Sequence, residues 1–116
     1  RNMNIHFVNS TEAWVYFVNN DTSGTFNNSG KMVHDFIETS LTTAKEKKFG
    51  KHPTQKPTKI ISHFIKHLSN KNDVVLDPFM GSGTTGVCSR KMNRKFIGID
   101  LDKEYYELSK TRMLNE

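Results

Sequence analysis

Runs rich in β-branched and aromatic residues, each bounded by turn formers, mark the strand candidates. Residues 13–18, Ala-Trp-Val-Tyr-Phe-Val, lie between Asn9-Ser10-Thr11 and Asn19-Asn20-Asp21. This is a strand pattern, with Trp14 and Tyr16 on one face and Val15 and Phe17 on the other. Such a stripe ordinarily packs as sheet core. Ile5 and Phe7, just upstream, share the composition. Val74, Val75 and Leu76 make a shorter, continuous apolar run, which predicts a strand buried on both faces. Residues 96–99 predict another. Helical spacing appears at Ile61, Phe64, Ile65 and Leu68, an i, i+3, i+4, i+7 face from which Lys59, Lys66 and His67 largely turn away. Pro57 suits the first position of that helix. Val87, Cys88 and Met92 suit a short helix beginning near Thr84. Tyr105, Leu108 and the stem of Arg112 suit the inner face of a last helix, with Asp102 as its N-cap. Between these, residues 23–31 read as a loop and 70–73 as a turn. Residues 32–41, with Val33, Phe36, Ile37 and Leu41, read as a short helix or an irregular packed segment.

The pattern is most informative at VVLDPFMGSGTTG. The strand ends in Asp77 and Pro78, and Gly81, Gly83 and Gly86 follow with the spacing G-x-G-x-x-G. Glycines here let backbone come close to a ligand, because no Cβ blocks the approach. A helix starting near Thr84 points its free N–H groups and positive dipole end the same way. The strand at 96–99 ends in Asp100, about 20 residues after the first glycine, the offset at which a nucleotide-binding unit grips ribose hydroxyls. A glycine-rich turn without a ligand is the plain alternative. The strand before, the helix after and the acid beyond weigh against it.

A dinucleotide fold runs its strand straight into the glycines, whereas here Asp-Pro-Phe intervenes. DPFMGSGTTG, with KFIGIDLDKEYYELSKTR after it and GKHPTQKP before it, resembles motifs I, II and X of the amino-methylating DNA methyltransferases. The motif order is similar to their β-class, in which the catalytic motif comes first. The resemblance implies an α/β chain with a partial Rossmann-like S-adenosylmethionine-dependent methyltransferase fold and an incomplete sheet. Residues 1–48 would be the end of the catalytic half and a basic connector, and 49–116 the S-adenosyl-L-methionine-binding region. The implied cofactor-binding residues are Thr54, Gln55 and Lys56 in motif X; Asp77, Pro78, Phe79, Gly81, Ser82, Gly83, Thr84 and Thr85 in motif I; and Asp100 and Leu101 in motif II. In that scheme Asp77 pairs with the cofactor ammonium, Phe79 and Met80 form apolar wall, Asp100 accepts from the ribose hydroxyls and Leu101 lies on the adenine.

Composition changes the picture in a few respects. The 116 residues carry a net charge of +5, and only 34% of them are hydrophobic, with a mean hydropathy of −0.64 and a pI near 9.4. One domain at most fits this length. A basic balance favours a polyanionic partner. The resemblance makes that partner double-stranded DNA. The basic connector, residues 42–50, holds Lys45, Lys47 and Lys48 with Glu46 as its only acid, and reads equally as a phosphate-contacting run or a solvated loop. The single Cys88 excludes an internal disulfide and fits a reducing cytoplasm. It reads as a small buried residue, having no base beside it in sequence. No run approaches the ~18 apolar residues of a membrane span. His63 and His67 have ligand spacing, but no cysteine or carboxylate completes a set with His52, so no metal is expected.

Transfer to an amine also needs a D/N-P-P-Y/F/W motif in this family. None occurs, so no catalytic residue is assigned. The expected partner is the missing catalytic half, in the same longer chain or a separate one; the chain starts at Arg1 rather than Met. Two other readings stand beside this one: an NAD-dependent oxidoreductase half-domain, against which the intervening Asp-Pro-Phe counts, and a non-catalytic nucleic-acid-binding remnant.

Overall fold

The computed structural model describes residues 11–21, 23–50 and 52–116; the readings at Ile5 and Phe7 lie outside them. A single 3-10 turn at Lys45–Lys47 precedes α1 (Thr58–Leu68), β1 (Val74–Asp77), α2 (Thr84–Lys91), β2 (Lys95–Gly98) and α3 (Lys103–Asn115). The strands pair in parallel, from Val74 opposite Lys95 to Asp77 opposite Gly98. Parallel neighbours need a crossover, and α2 supplies it.

Helix α2 packs against α1, both strands and α3. Its sequence, TTGVCSRK, allows this because the residues it buries, from Thr84 to Ser89, are small. A Cβ at Gly86 would run into the side chains of Met113 and Phe96, so α2 sits close on β2 and α3. Ile61 and Ile65 of α1 close on Cys88 from the other side, with Met92 alongside. Phe64 and Leu68, on the same predicted face, are half-buried. Cys88 is buried as expected; burial pushes its thiol up, and the Ser62 hydroxyl donates to it at 3.3 Å.

The helix ends are closed by specific groups. Asp102 caps α3 by accepting from the N–H groups of Glu104 (2.8 Å) and Tyr105 (3.2 Å). Pro57 stands one position before its expected place, as the extended N-cap of α1. It has no side-chain oxygen to cap with, and Glu46 does so instead: its Oε1 accepts from the Thr58 N–H at 2.9 Å. At the other end of α1, the Asn27 N–H donates to the His67 carbonyl (2.7 Å) and the Asn27 amide to that of Ser69 (2.8 Å). The Arg94 guanidinium also donates to the Ser69 carbonyl, at 2.6 Å.

Four expectations are corrected. Residues 13–18 form no strand. Trp14, Val15, Tyr16, Phe17 and Val18 are all exposed rather than sheet core, and Trp14 rests its ring 5.0 Å from Phe64. A strand needs a ladder partner, and the two described strands pair with each other. The run Val74 to Leu76 is a strand but is covered on one face only. Val74, Leu76 and Ile97, and Ile99 just beyond, stay more than half exposed, while Phe96 packs toward α2 at Gly86. Residues 32–41 form neither a helix nor a well-packed segment, since Met32, Phe36 and Leu41 are exposed. The second strand starts one residue early, although the Ile99 N–H still donates to the Asp77 carbonyl at 3.0 Å.

Candidate cofactor site

The first strand delivers Asp77 to its carboxyl end, where the chain turns. Asp77 organises the turn: Oδ1 accepts from the Phe79 N–H at 3.1 Å and Oδ2 from the Thr85 hydroxyl at 2.6 Å. Gly81 and Gly83 take φ of +50° and +75°, where a side chain is strained. Space forbids one too. A Cβ at Gly83 would stand 2.7 Å from Cβ and 3.0 Å from Cα of Ser109, and one at Gly81 would stand 2.9 Å from Nε2 of His52. The turn is thus squeezed between α3 and the HPTQKP loop.

Two charged side chains fix it. Arg112 is wholly buried. Its Nη1 donates to the Ser82 carbonyl (2.9 Å), the Ser82 hydroxyl (3.1 Å) and the Thr84 hydroxyl (3.2 Å), and its Nε to Glu116 (3.1 Å). Asp100 accepts from the Gly81 N–H through Oδ2 and from the Asp102 N–H through Oδ1, both at 2.8 Å. The Asp100 carboxylate, expected to meet ribose, therefore also holds the turn. Each oxygen keeps a second lone pair.

The HPTQKP loop lies across the turn. The His52 ring packs 4.2 Å from Tyr105, and its Nδ1 faces the Thr54 N–H at 3.2 Å. Lys56 pairs with Glu12 at 2.6 Å, and its carbonyl accepts from the Thr84 hydroxyl at 3.3 Å. Gln55 is buried. Its Nε2 donates to the Glu46 carbonyl at 2.7 Å, and its Oε1 is buried with no partner.

Between loop and turn lies a cavity of about 150 Å³. Thr54, Gln55 and Lys56 line one side, and Asp77, Phe79, Gly81, Ser82, Thr84 and Thr85 the other, joined by His52, Ile61 and Met80. Nine of the residues singled out from sequence thus surround one space. Pro78, Gly83, Asp100 and Leu101 do not line it; Leu101 is fully exposed at the end of the second strand. Lys45, Lys47 and Lys48 stand apart on the 3-10 turn and its C-cap. A larger depression of about 390 Å³, among Gly86, Phe96, Tyr106 and Met113, shares Met80 with this cavity but contains none of the residues assigned to cofactor binding.

The cavity has complementary chemistry at short range. Gln55 Oε1 and the Asp77 carboxylate are acceptors. The Thr84 and Thr85 hydroxyl protons already go to the Lys56 carbonyl and Asp77, so the donors are the first N–H groups of α2, which begins from Gly83 with no side chain to cap them. Acceptors facing donors suit a zwitterion such as an amino-acid end. Among the described residues no group of three His, Cys, Asp or Glu is placed to hold a metal. The His63 and His67 rings lie 4.6 Å apart, and burial, followed by the charges of His67 and Lys66, pulls the His63 pKa down.

Residues missed in sequence carry much of the support. His52 lay within the motif X stretch but was given no role of its own, Ile61 read only as core, and Arg112 only as an apolar stem. Glu46 did leave a signal. Thr43 and Glu46 have the T-x-x-E spacing of a capping box, and the Thr43 N–H donates to Glu46 Oε2 at 2.9 Å while the Glu46 N–H donates to the Thr43 hydroxyl at 3.3 Å.

A parallel strand pair, a glycine turn at the carboxyl end of the first strand, a crossover helix opening on a cavity and an acid beyond the second strand define part of a Rossmann-like nucleotide-cofactor fold. The chain belongs to the DNA methylase family, which it matches over residues 4–111. It is 44% identical to the Type II methyltransferase M2.LlaDCHI of Lactococcus lactis subsp. cremoris and 40% identical to M2.DpnII of Streptococcus pneumoniae, in each case over 93% of this chain and 44% of the relative. The crystal structure of an M1.HpyAVI–SAM complex matches it with a TM-score of 0.69 at 40% identity, over 83% of this chain and 46% of that one. The cytosine-N4-specific PvuII DNA methyltransferase matches with 0.59 at 31% identity, over 69% and 30%. The chain thus spans less than half the length of these relatives, and the fold is a partial Rossmann-like methyltransferase fold with an incomplete sheet.

Proposed function

We propose that the chain is the cofactor-binding part of a DNA amino-methyltransferase, which moves a methyl group from S-adenosyl-L-methionine to the N6 amine of adenine or the N4 amine of cytosine. The observation that carries this reading is the unpartnered Oε1 of buried Gln55 in a cavity shared with Asp77 and the start of α2. A buried acceptor without a partner costs about 1–3 kcal/mol, and a ligand ammonium relieves it. At 150 Å³ the cavity is smaller than the ~300 Å³ or more of a whole ligand site. It suits the amino-acid end of the cofactor, with the ammonium toward Gln55 and Asp77 and the carboxylate toward the N–H groups of Thr84 and Thr85 at the start of α2. The adenosine then extends along the strand ends, where Asp100 takes the ribose hydroxyls and exposed Phe79 and Leu101 give apolar cover. Pro78 and Gly83 shape the turn, Gly81 and Ser82 approach the ligand, and Thr54 and Lys56 close the far wall.

The cofactor supplies an electrophilic methyl on a sulfonium sulfur. This chain's residues hold and orient it; the amine site belongs to the D/N-P-P-Y-bearing half, which we infer covers the exposed face at Val74, Leu76 and Ile97. Lys45, Lys47 and Lys48 are assigned to phosphates of double-stranded DNA. A cytoplasmic setting fits the lone buried thiol of Cys88. No helix among the described residues is long and apolar enough to cross a membrane.

Calorimetry on the complete enzyme tests the assignment. Gln55→Leu and Asp100→Ala should each weaken S-adenosylmethionine binding by about 1.5–3 kcal/mol. Unchanged affinity in both, with folding intact, contradicts it. The chain alone should incorporate no labelled methyl into mixed-sequence DNA, and turnover above background would show that the missing amine site is misread.

A further inference from the structure

Glu46 makes more contacts than any other side chain of the connector, and they lead in two directions. Its Oε2 accepts from the N–H (2.9 Å) and hydroxyl (3.2 Å) of Thr43, and its Oε1 from the N–H (2.9 Å) and hydroxyl (2.7 Å) of Thr58. The carboxylate therefore fastens the 3-10 turn to the start of α1. Its main-chain carbonyl takes the Gln55 amide at 2.7 Å, which leaves Gln55 Oε1 without a partner in the cavity wall. The turn itself is three residues long and buries none of them. Its position is set by these bonds rather than by packing. Lys45 and Lys47 flank Glu46 on that turn, and Lys48 is its C-cap.

We propose that Glu46 is a positioning residue that couples a polyanion held on Lys45, Lys47 and Lys48 to the ligand held against Gln55. The proposal rests on the cofactor reading of the cavity. Its physical basis is that both ligands order one element. A phosphate backbone drawn to the lysines fixes the turn, and with it the Glu46 carbonyl. That carbonyl fixes the amide that aims Gln55 Oε1. Whichever ligand binds first meets the ordering cost, and the second binds more tightly. Linkage makes the effect equal in both directions.

The test is calorimetry of S-adenosylhomocysteine binding to the complete enzyme carrying this chain, with and without a mixed-sequence DNA duplex. In the parent enzyme DNA should tighten the ligand by on the order of tenfold, and the ligand should tighten DNA equally. Glu46→Gln keeps the size of the side chain but turns an amino group toward donors; the ratio should fall toward one. Thr58→Val, which removes one hydroxyl from Oε1, should lower the ratio in the same direction and covers the case of a poorly folded Gln variant. A parent ratio of one overturns the proposal. So does a Glu46→Gln enzyme that binds more weakly but keeps the parent ratio, because that is a purely structural effect. Failure of the parent enzyme to bind S-adenosylhomocysteine at all overturns the cofactor reading itself, and this proposal with it.

Discussion

Residues 11–50 and residues 52–116 carry comparable apolar patterns and end in different states. The aromatic run at 13–18 is longer and richer in strand formers than Val74 to Leu76, yet it pairs with no strand among the described residues and stays exposed, Phe17 at 86%. The shorter run becomes β1 because its partner β2 follows nearby in the chain, across a helix whose buried residues are small and which packs against both. Strand propensity measures fit to a sheet surface, and a segment realises it only where a neighbour is present. In the DNA methylase relatives, of which this chain spans 44%, more than half the protein lies outside what it provides.

The sharpest contrast is between two glycines of similar backbone geometry. Gly83 (φ +75°) faces Ser109, whereas Gly30 (φ +71°) has nothing within 4 Å of a built Cβ. Gly83→Ala should cost about 3 kcal/mol, from left-handed strain plus overpacking, and Gly30→Ala about 1 kcal/mol from strain alone. Denaturant unfolding measures both; equal losses would show that the turn has room to relax. Cations sharpen the contrast next. Arg112→Met should destabilise by about 2–4 kcal/mol, because it frees the Ser82 carbonyl and leaves the nearly closed Glu116 with only the Lys91 ammonium at 4.0 Å. Lys56→Met removes an ion pair whose two side chains are 40% and 51% exposed, and should cost under about 1 kcal/mol.

Apolar truncation comes third. Val87→Ala, at a position 1% exposed, should cost about 2 kcal/mol, and Trp14→Ala less than about 1 kcal/mol in this chain. In the complete enzyme the two should converge as cover reaches Trp14. The smallest effect is that of pH on the link between the regions. Burial pushes the Glu46 carboxyl up, but hydrogen bonds from Thr58 and Thr43 together outweigh it and bring it from 4.5 to about 2. A depressed carboxyl contributes stability above its unfolded value, and that contribution is lost as pH falls from about 4.5 through 2. After solvent screening it is worth about 1 kcal/mol. Glu46→Gln should flatten the acid limb of a stability–pH curve, and an unchanged limb would mean these bonds do not persist in solution.

Local signals in residues 52–116 were legible because their causes are local. The glycine spacing, the Asp102 cap and the apolar face of α1 each depend on neighbours within one or two turns of chain. The union of HPTQKP with the glycine turn around one cavity was legible only through resemblance, since 20 or more residues separate them. Arg112 was misread because an arginine near a helix end is usually solvated, and only the packing of α3 on the turn shows that it is buried. The strand at 13–18 was misread because its pattern presumes a sheet neighbour, and none stands beside it among the described residues. The open face of β1 was missed for the same reason: a continuous apolar run implies two covers and does not say where they come from.

We propose that the cavity between residues 52–57 and the turn at 77–85 binds the cofactor. The most direct measurement is to follow the backbone amides of the complete enzyme by NMR while S-adenosylhomocysteine is added, with NAD as the control. Saturable shifts are expected at Gln55, Gly81, Thr84, Thr85 and Asp100, with Gly30 and the amides of residues 13–18 unmoved, and no comparable response to NAD. Shifts confined to other regions, or the same response to NAD, would contradict it.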